Sequence, residues 1–139
     1  MLNVIVSDIM NDHPIKVKSG VSMRNVAHLL MRYRINGILV VDEDKDGSLI
    51  GIFTTMDFLN LMEMAIIDLS QRMEALDVLA DQPVGKFVNR QFLRLEHTDL
   101  AAKAISLMLK HNVPTIPVYA GDKLVGVIGR HDIINIAFA

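Results

Sequence analysis

Residues 49–57 read Leu-Ile-Gly-Ile-Phe-Thr-Thr-Met-Asp, and residues 124–132 read Leu-Val-Gly-Val-Ile-Gly-Arg-His-Asp. Both stretches begin with an apolar run around a glycine, which is typical of a buried strand. Both end on an aspartate, a residue that is common at helix starts, so each predicts a strand followed by a helix. The return of this pattern indicates an internal duplication, and the duplication decides the fold.

The duplication extends upstream of these two stretches. Residues 6–41 align without a gap onto residues 84–119 by their apolar pattern. A slightly shorter turn in the second half then brings Asp57 onto Asp132. Because one gap in a turn is enough to align both halves, we expect two copies of one structural unit.

Each copy predicts the same series of elements, β-α-β-β-α. The predicted strands are residues 14–17, 38–41, 49–54, 92–95, 116–119 and 124–129, and the predicted first helices are residues 21–33 and 99–111. Ser22 and Thr98 lie near the starts of those helices, where their hydroxyls can accept hydrogen bonds from main-chain N–H groups. Asp46-Gly47 and Gly121-Asp122 predict the hairpin turns, and a short helix is expected from His131 to the end.

The fold class that follows is α/β with mixed sheets. We expect the first repeat with a long C-terminal linker helix at residues 1–80, and the second repeat at residues 81–139. The linker helix, from about Met56 to Ala80, is apolar nearly all round and ends before Pro83. A domain this small cannot bury such a helix alone. We therefore expect either half of an oligomer interface or a linker buried in the module's own core.

Composition excludes several classes of protein. The 139 residues include no cysteine, which excludes disulfides and thiolate chemistry, and 14 Lys and Arg against 16 Asp and Glu argue against a nucleic-acid partner. Charged residues interrupt the apolar stretch 58–79, and the N-terminus lacks a signal-peptide pattern, so we expect no membrane partner and a cytoplasmic location. The histidines and serines form no metal-binding or acyl-transfer pattern, so we expect no metal site, no catalytic residue and no enzyme activity.

The Thr54-x-x-Asp57 turn has two interpretations. It is close to a capping box, in which both side chains satisfy the helix's own N–H groups. It also places a carboxylate and a hydroxyl at a helix N-terminus, where they can bind a ribose diol and a phosphate. Asp132 returns in the second half although Gly129 lacks a hydroxyl, which favours a ligand.

The whole pattern resembles a tandem pair of cystathionine-β-synthase-type (CBS) domains, called a Bateman module. The resemblance covers residues 6–60 and 84–139, and its most specific part is strand-Gly-apolar-apolar-Ser/Thr-x-x-Asp-helix, which residues 49–57 match in full. It implies two β-α-β-β-α units about a pseudo-twofold axis, commonly dimerising. The activity that it implies is regulatory binding of adenosyl compounds in clefts between the repeats.

The resemblance also implies two nucleotide-binding sites, in each of which the aspartate turn of one repeat meets loops of the other. One site consists of Thr54, Thr55, Asp57, Gln91, Leu93, Val113, Pro114 and Thr115. The other site consists of His13, Ile15, Lys16, Ile35, Asn36, Gly37, Gly129, Arg130, His131 and Asp132. The aspartates would hold the ribose, the apolar residues the adenine, and the hydroxyl or basic side chains the phosphate. Arg130 and His131 would compensate for the hydroxyl that Gly129 lacks.

We therefore expect a regulatory module that binds AMP, ADP, ATP, S-adenosylmethionine or a similar adenosine-containing ligand, with no other cofactor required. The two repeats occupy nearly the whole chain, so the signal is expected to pass through a homodimer or to a separate effector protein. The alternative is a ligand-free dimerisation or interaction scaffold, in which the linker helix is the working surface and the aspartates only cap helices.

Overall fold

A computed structural model describes residues 3–44, 47–67 and 72–139, apart from the side chains of residues 72 and 73. The chain folds as two compact units. Ile15–Arg90 form the N-repeat unit, and the residues up to Pro14 together with Gln91–Ala139 form the C-repeat unit. The units are assembled from different stretches than the sequence repeats, so the division into residues 1–80 and 81–139 remains a prediction about the repeats alone.

The N-repeat unit contains a mixed sheet of three strands. Strands β1 (Lys16–Lys18), β2 (Gly37–Val41) and β3 (Leu49–Thr54) lie in that order, with β1 parallel and β3 antiparallel to β2. The described helices of this unit are α1 (Met23–Tyr33), α2 (Thr55–Ile66) and α3 (Arg72–Asp81). A single 3-10 turn, Val84–Lys86, follows α3.

The C-repeat unit repeats this plan. Its strands are β4 (Leu95–Glu96), β5 (Thr115–Ala120) and β6 (Lys123–Gly129), again with the first parallel and the last antiparallel to the central strand. Its helices are α4 (Ala101–His111) and α5 (Arg130–Ala137), and a 3-10 turn at Val6–Asp8 precedes the first repeat. The predicted α/β class with two mixed sheets is therefore confirmed.

Each unit buries a segment that lies next to the other repeat in sequence. Val6 is fully buried in the core of the C-repeat unit, and its N–H donates to the carbonyl oxygen of Asp99 at 2.8 Å. Val84 is fully buried in the core of the N-repeat unit, and its N–H donates to the carbonyl oxygen of Val21 at 2.8 Å. The two repeats therefore exchange short segments.

The glycine of each repeated stretch makes room for the exchanged segment. A Cβ atom on Gly126 would lie 2.7 Å from the carbonyl oxygen of Asn11, which bridges the sheet through Val127. A Cβ atom on Gly51 would collide in the same way with the carbonyl oxygen of Asn89. Only a residue without a side chain fits such close main-chain approaches.

The predicted linker helix from Met56 to Ala80 is wrong as a single element. Helix α2 ends at Ile66, Ile67 is a bend, and α3 begins at Arg72, while residues 68–71 lie outside the described residues. The two helices pack against each other, and Leu79 reaches the core of the same unit. Folding the apolar segment back on itself buries surface that one straight helix would leave in water. No helix in the described ranges is long and apolar enough to cross a membrane.

The helix caps confirm one prediction and correct another. The Ser22 hydroxyl accepts a hydrogen bond from the N–H of Asn25 at 3.1 Å and caps α1 as predicted. Thr98 does not cap α4, because that helix begins only at Ala101. The residue at the N-cap of α4 is Leu100, which provides no side-chain cap, and the Asp99 carboxylate accepts a hydrogen bond from the N–H of Glu96 at 2.9 Å in the preceding turn.

The hairpin turns follow the predicted glycines. Gly47 and Gly121 have φ values of +71° and +63°, a conformation that L side chains rarely adopt. Asp46, the first residue of the predicted Asp46-Gly47 turn, lies outside the described residues.

Candidate functional site

The topology of the N-repeat unit gathers three predicted segments at one end of its sheet. Because β1 is parallel and β3 antiparallel to β2, the starts of β1 and β2 lie beside the end of β3. Gly37 pairs with Thr54, and the N–H of Thr55 donates to the carbonyl oxygen of Asn36 at 2.9 Å. The predicted residues that meet at this end are Ile15, Lys16, Ile35, Asn36, Gly37, Thr54, Thr55 and Asp57.

The C-repeat unit gathers the corresponding segments in the same way. Thr115 pairs with Gly129, and the N–H of Arg130 donates to the carbonyl oxygen of Pro114 at 3.0 Å. The predicted residues at this end are Leu93, Val113, Pro114, Thr115, Gly129, Arg130, His131 and Asp132. We call the two places the Asp57 sheet end and the Asp132 sheet end.

Each aspartate turn thus contacts the loop that precedes the central strand of its own unit. The predicted pairing of each turn with loops of the other repeat remains a prediction. Gln91 and His13 belong to the C-repeat unit, and both are exposed. The His13 ring Nδ1 lies 2.7 Å from a carboxylate oxygen of Asp12.

The Asp57 turn forms a complete capping box. The Thr54 hydroxyl accepts a hydrogen bond from the N–H of Asp57 at 3.1 Å. The Oδ2 atom of Asp57 accepts one from the N–H of Thr54 at 2.8 Å. The capping interpretation of this turn is therefore correct for Oδ2, whereas Oδ1 has no hydrogen-bond partner among the described residues.

The Asp132 turn keeps only half of this arrangement. Asp132 Oδ2 accepts a hydrogen bond from the N–H of Gly129 at 2.7 Å, and Gly129 has no hydroxyl to accept one from the N–H of Asp132. A Cβ atom on Gly129 would have 3.6 Å to Asp132 Oδ2 and 3.7 Å to the carbonyl oxygen of Pro114. Steric crowding therefore does not explain why this position lacks a side chain.

The chemistry available at both sheet ends is that of an open acceptor beside a helix N-terminus. A carboxylate oxygen accepts hydrogen bonds from hydroxyl groups, and the first N–H groups of a helix attract anions. Arg130 and His131 are exposed on the first turn of α5 and add basic side chains to the Asp132 sheet end. Among the residues that the structure describes, no cluster of His, Asp and Glu suits a metal ion.

A further concave feature lies in the N-repeat unit and was not anticipated from the sequence. It is a groove of about 660 Å³ between β1 and α1, lined by Lys16, Val17, Lys18, Val21, Asn25, His28, Leu29 and Arg32. Only Lys16 belongs to the predicted nucleotide-binding residues. The sequence does contain a signal for it in the spacing of its basic residues. Lys16 and Lys18 are two apart on a strand, and His28 and Arg32 are four apart on a helix, but the two pairs meet only after folding.

Comparison with known proteins assigns the family. A profile of the CBS domain matches residues 6–63 and 84–138, which together are most of the chain. This chain belongs to the CBS domain family, as a tandem pair of such domains.

Curated relatives carry the same segment within larger enzymes. The A-adding tRNA nucleotidyltransferase of Aquifex aeolicus is 28% identical over 130 residues, which are 94% of this chain and 14% of that protein. The inosine-5'-monophosphate dehydrogenase of Staphylococcus epidermidis is 31% identical over 105 residues, 76% of this chain and 18% of that protein. The chain thus spans less than a fifth of either enzyme.

Solved structures share the fold over nearly the whole chain. A CBS-domain protein of Agrobacterium tumefaciens has a TM-score of 0.80 at 21% identity, covering 99% of this chain and 96% of that one. The CBS domain pair of protein MJ0100, in complex with 5'-methylthioadenosine and S-adenosyl-L-methionine, has a TM-score of 0.74 at 24% identity, covering 96% and 95%. CBSX2 in complex with AMP has a TM-score of 0.73 at 23% identity, covering 96% and 95%.

Proposed function

We propose that this chain is a regulatory module that binds an adenosine-containing small molecule at the Asp57 and Asp132 sheet ends. One observation carries the proposal: each aspartate commits Oδ2 to a helix N-terminus and leaves Oδ1 without a partner among the described residues. A helix cap requires only one carboxylate oxygen. The second oxygen, held in place by the first, is an oriented acceptor for the hydroxyls of a ribose.

The two sheet ends differ in how they would treat a phosphate. The Asp57 sheet end offers the Thr54 and Thr55 hydroxyls, both half-buried. The Asp132 sheet end offers Arg130, whose guanidinium suits phosphate, and His131. We therefore propose that the two ends bind the adenosyl group alike and differ in their preference for the remainder of the ligand.

The solved CBS pairs support an adenosyl ligand as a class. Two of them contain 5'-methylthioadenosine with S-adenosyl-L-methionine, or AMP. These ligands share the adenosine part and differ in charge. Titration with each of them, and with ADP and ATP, therefore decides which ligand this chain prefers.

A second candidate function, a ligand-free scaffold, is favoured by the exposed apolar residues of α2. Leu59, Met62 and Ile66 lie on one face of the helix and remain 56%, 40% and 41% exposed. Phe58 and Leu61 lie on another face and pack against the core of the N-repeat unit. We propose that the exposed face mediates self-association. In a ligand-free scaffold this contact is the function itself, whereas in the regulatory module it transmits ligand occupancy.

The experiment that tests ligand binding is thermal unfolding and calorimetric titration of nucleotide-free protein. The panel comprises AMP, ADP, ATP, S-adenosylmethionine and 5'-methylthioadenosine, with GTP and CTP as controls. A ligand at a hundred times its Kd stabilises the fold by about 2.7 kcal/mol. An unfolding midpoint raised by about 5 °C with adenosyl ligands alone supports the proposal.

The variants Asp57→Asn and Asp132→Asn separate the two carboxylate oxygens. An asparagine side chain keeps one oxygen for the cap and replaces the free acceptor with an NH₂ donor. The matched control is Asp99→Asn, because Asp99 also accepts from a main-chain N–H but lies at neither sheet end. Loss of binding in the first two variants and not in the control supports the proposal. Equal binding in all three, or no binding by the parent protein, favours the scaffold.

A further inference from the structure

The groove between β1 and α1 is basic and open. Five of its lining residues carry polar or cationic side chains, and all five are exposed: Lys16, Lys18, Asn25, His28 and Arg32. Its apolar lining consists of Val17, Val21 and Leu29, which are buried or half-buried. Within the described ranges no acidic side chain lines it; the Glu43 carboxylate lies against Gly20, in the turn beyond β1.

The lysine and arginine side chains of this groove have no ion-pair partner among the described residues. Lys16, Lys18, His28 and Arg32 make no ion pair and no side-chain hydrogen bond with any residue that the structure describes. Uncompensated like charges on facing elements repel each other. An anionic partner would remove that repulsion.

The same place in the C-repeat unit is neutralised. The repeat alignment brings Arg94 to the position of Lys16 and Glu96 to that of Lys18, and these two side chains lie 3.7 Å apart as an ion pair. Lys103, at the position of Asn25, lies 3.2 Å from Asp99. The Arg94 guanidinium also stacks 4.1 Å over the Tyr119 ring. The excess positive charge is therefore specific to one repeat and is not a property of the fold.

The groove also includes an open strand edge. β1 is the outer strand of its sheet. The main-chain groups of Ile15 and Ser19 bond to β2, through Leu39 at 3.4 Å and Val41 at 2.9 Å. Alternate residues of a parallel strand point to opposite edges, so the main-chain groups of Lys16 and the N–H of Lys18 face away from β2.

We propose that this groove binds an extended acidic segment of a partner polypeptide, which adds to the outer edge of β1. Main-chain hydrogen bonds to an edge strand provide affinity in this mode of recognition, and alternate side chains provide specificity. Lys16 and Lys18 are two residues apart, the spacing of side chains on one face of a strand, so they match acidic residues at alternate positions. The proposal does not depend on adenosyl binding.

Two alternative roles for this groove, protection against aggregation and binding of a polyphosphate, predict different results. Lysines on an edge strand also protect against sheet-to-sheet aggregation without binding anything. A small polyphosphate would use the same cations but not the strand edge. The exposure of all the polar lining residues favours the peptide, because small molecules prefer sites that enclose most of their surface.

The test uses the full chain and a fluorescein-labelled octapeptide of alternating glutamate and valine, with a lysine-valine octapeptide as the probe control. We expect saturable binding of the acidic peptide by fluorescence anisotropy, which weakens as salt concentration rises. The variant Lys18→Glu/Arg32→Glu is expected to weaken this binding at least about tenfold. Lys110→Glu, at the position of Arg32 in the other repeat, is the matched control and retains it.

Hydrogen exchange reports whether the peptide joins the strand. We expect peptide binding to slow the exchange of the Lys18 amide, which a small polyphosphate would not do. Unfolding midpoints verify that each variant is folded, and Arg32→Gln replaces the double variant if that variant is unfolded. Absence of peptide binding, or equal peptide binding by the double variant, would overturn the proposal. Binding of inorganic tripolyphosphate without protection of the Lys18 amide would assign the groove to a polyphosphate. Aggregation as the only change in the double variant would assign its lysines to protection of the strand edge.

Discussion

The Oδ2 atom of Asp132 accepts a hydrogen bond from the N–H of Gly129 at 2.7 Å, and position 129 supplies no hydroxyl to accept one from the N–H of Asp132. Its counterpart, Asp57, accepts from the N–H of Thr54 at 2.8 Å, and its own N–H donates to the Thr54 hydroxyl at 3.1 Å. Both turns thus have the aspartate carboxylate, and only the Asp57 turn has a hydroxyl cap. Adding or removing that hydroxyl therefore measures what the cap contributes to stability.

Gly129→Ser is expected to raise the free energy of unfolding by about 0.5 kcal/mol. The residue has φ −112° and ψ 165°, an extended conformation that any residue adopts, and a Cβ there meets no atom closer than 3.6 Å. The new hydroxyl can accept from the N–H of Asp132, and serine reduces the entropy of the unfolded chain. Urea unfolding measures the gain, and Thr54→Gly, which removes the equivalent cap, should show a loss of similar size. A destabilised Gly129→Ser variant would contradict this account.

Gly126→Ala is expected to destabilise the protein by about 1–3 kcal/mol. The added methyl group would lie 2.7 Å from the carbonyl oxygen of Asn11 and from the sulfur of Met10, so the exchanged segment must shift. Gly129→Ala on the same strand is the control, because its methyl group has space. Differential scanning calorimetry gives both values, and equal midpoints would show that the exchanged segment is not tightly held.

Asp57→Ala is expected to cost about 1 kcal/mol, because it removes the carboxylate that satisfies the N–H of Thr54. Asp57→Asn should cost much less, since its amide oxygen can take over that hydrogen bond. Chemical denaturation of both variants without ligand measures these costs. If both variants lost the same stability, the negative charge rather than the hydrogen bond would be the stabilising feature.

Leu59→Glu is expected to weaken self-association by at least about tenfold, because it places a charge in the proposed apolar contact. Met64→Glu is the control: Met64 is 70% exposed but lies on a different face of α2 from Leu59, Met62 and Ile66. Sedimentation velocity over a range of concentrations measures the association. If the parent protein is monomeric at every concentration tested, the exposed face of α2 does not mediate self-association.

Ionisation of Tyr119 is expected to lower the free energy of unfolding at alkaline pH. Burial raises the pKa of its phenol above the ordinary value of 10.0, and the Arg94 guanidinium over its ring opposes part of that increase. The unfolded chain therefore loses this proton at lower pH than the folded chain. The stabilisation is complete below pH 10.0 and is lost as the pH rises from there through the pKa of the folded protein.

Tyr119→Phe should accordingly flatten the decline of the unfolding free energy above pH 10.0. Urea unfolding on both sides of that pH measures the slope. An unchanged slope in the phenylalanine variant would assign the alkaline decline to other groups.

The predicted strand at residues 49–54 and the aspartate turns agree with the structure because their causes are local. An apolar run, a hydroxyl or carboxylate at a helix start, and a glycine at a positive φ act over a few residues. Ser22 is such a case. The prediction for Thr98 was wrong because α4 begins only at Ala101, so that Leu100, which has no capping side chain, stands at the N-cap.

By itself, the sequence determined the duplication, the order of the elements, the aspartate at each sheet end and the family, since all of these are written in short repeated patterns. Only the tertiary structure decided which segments share a core: Val6 is buried with the second repeat and Val84 with the first. It also decided the break between α2 and α3, and the convergence of Lys16, Lys18 and Arg32 on one groove. These features depend on contacts between residues that are distant in sequence. Such contacts form because they bury apolar surface across the whole chain, and no local preference specifies them.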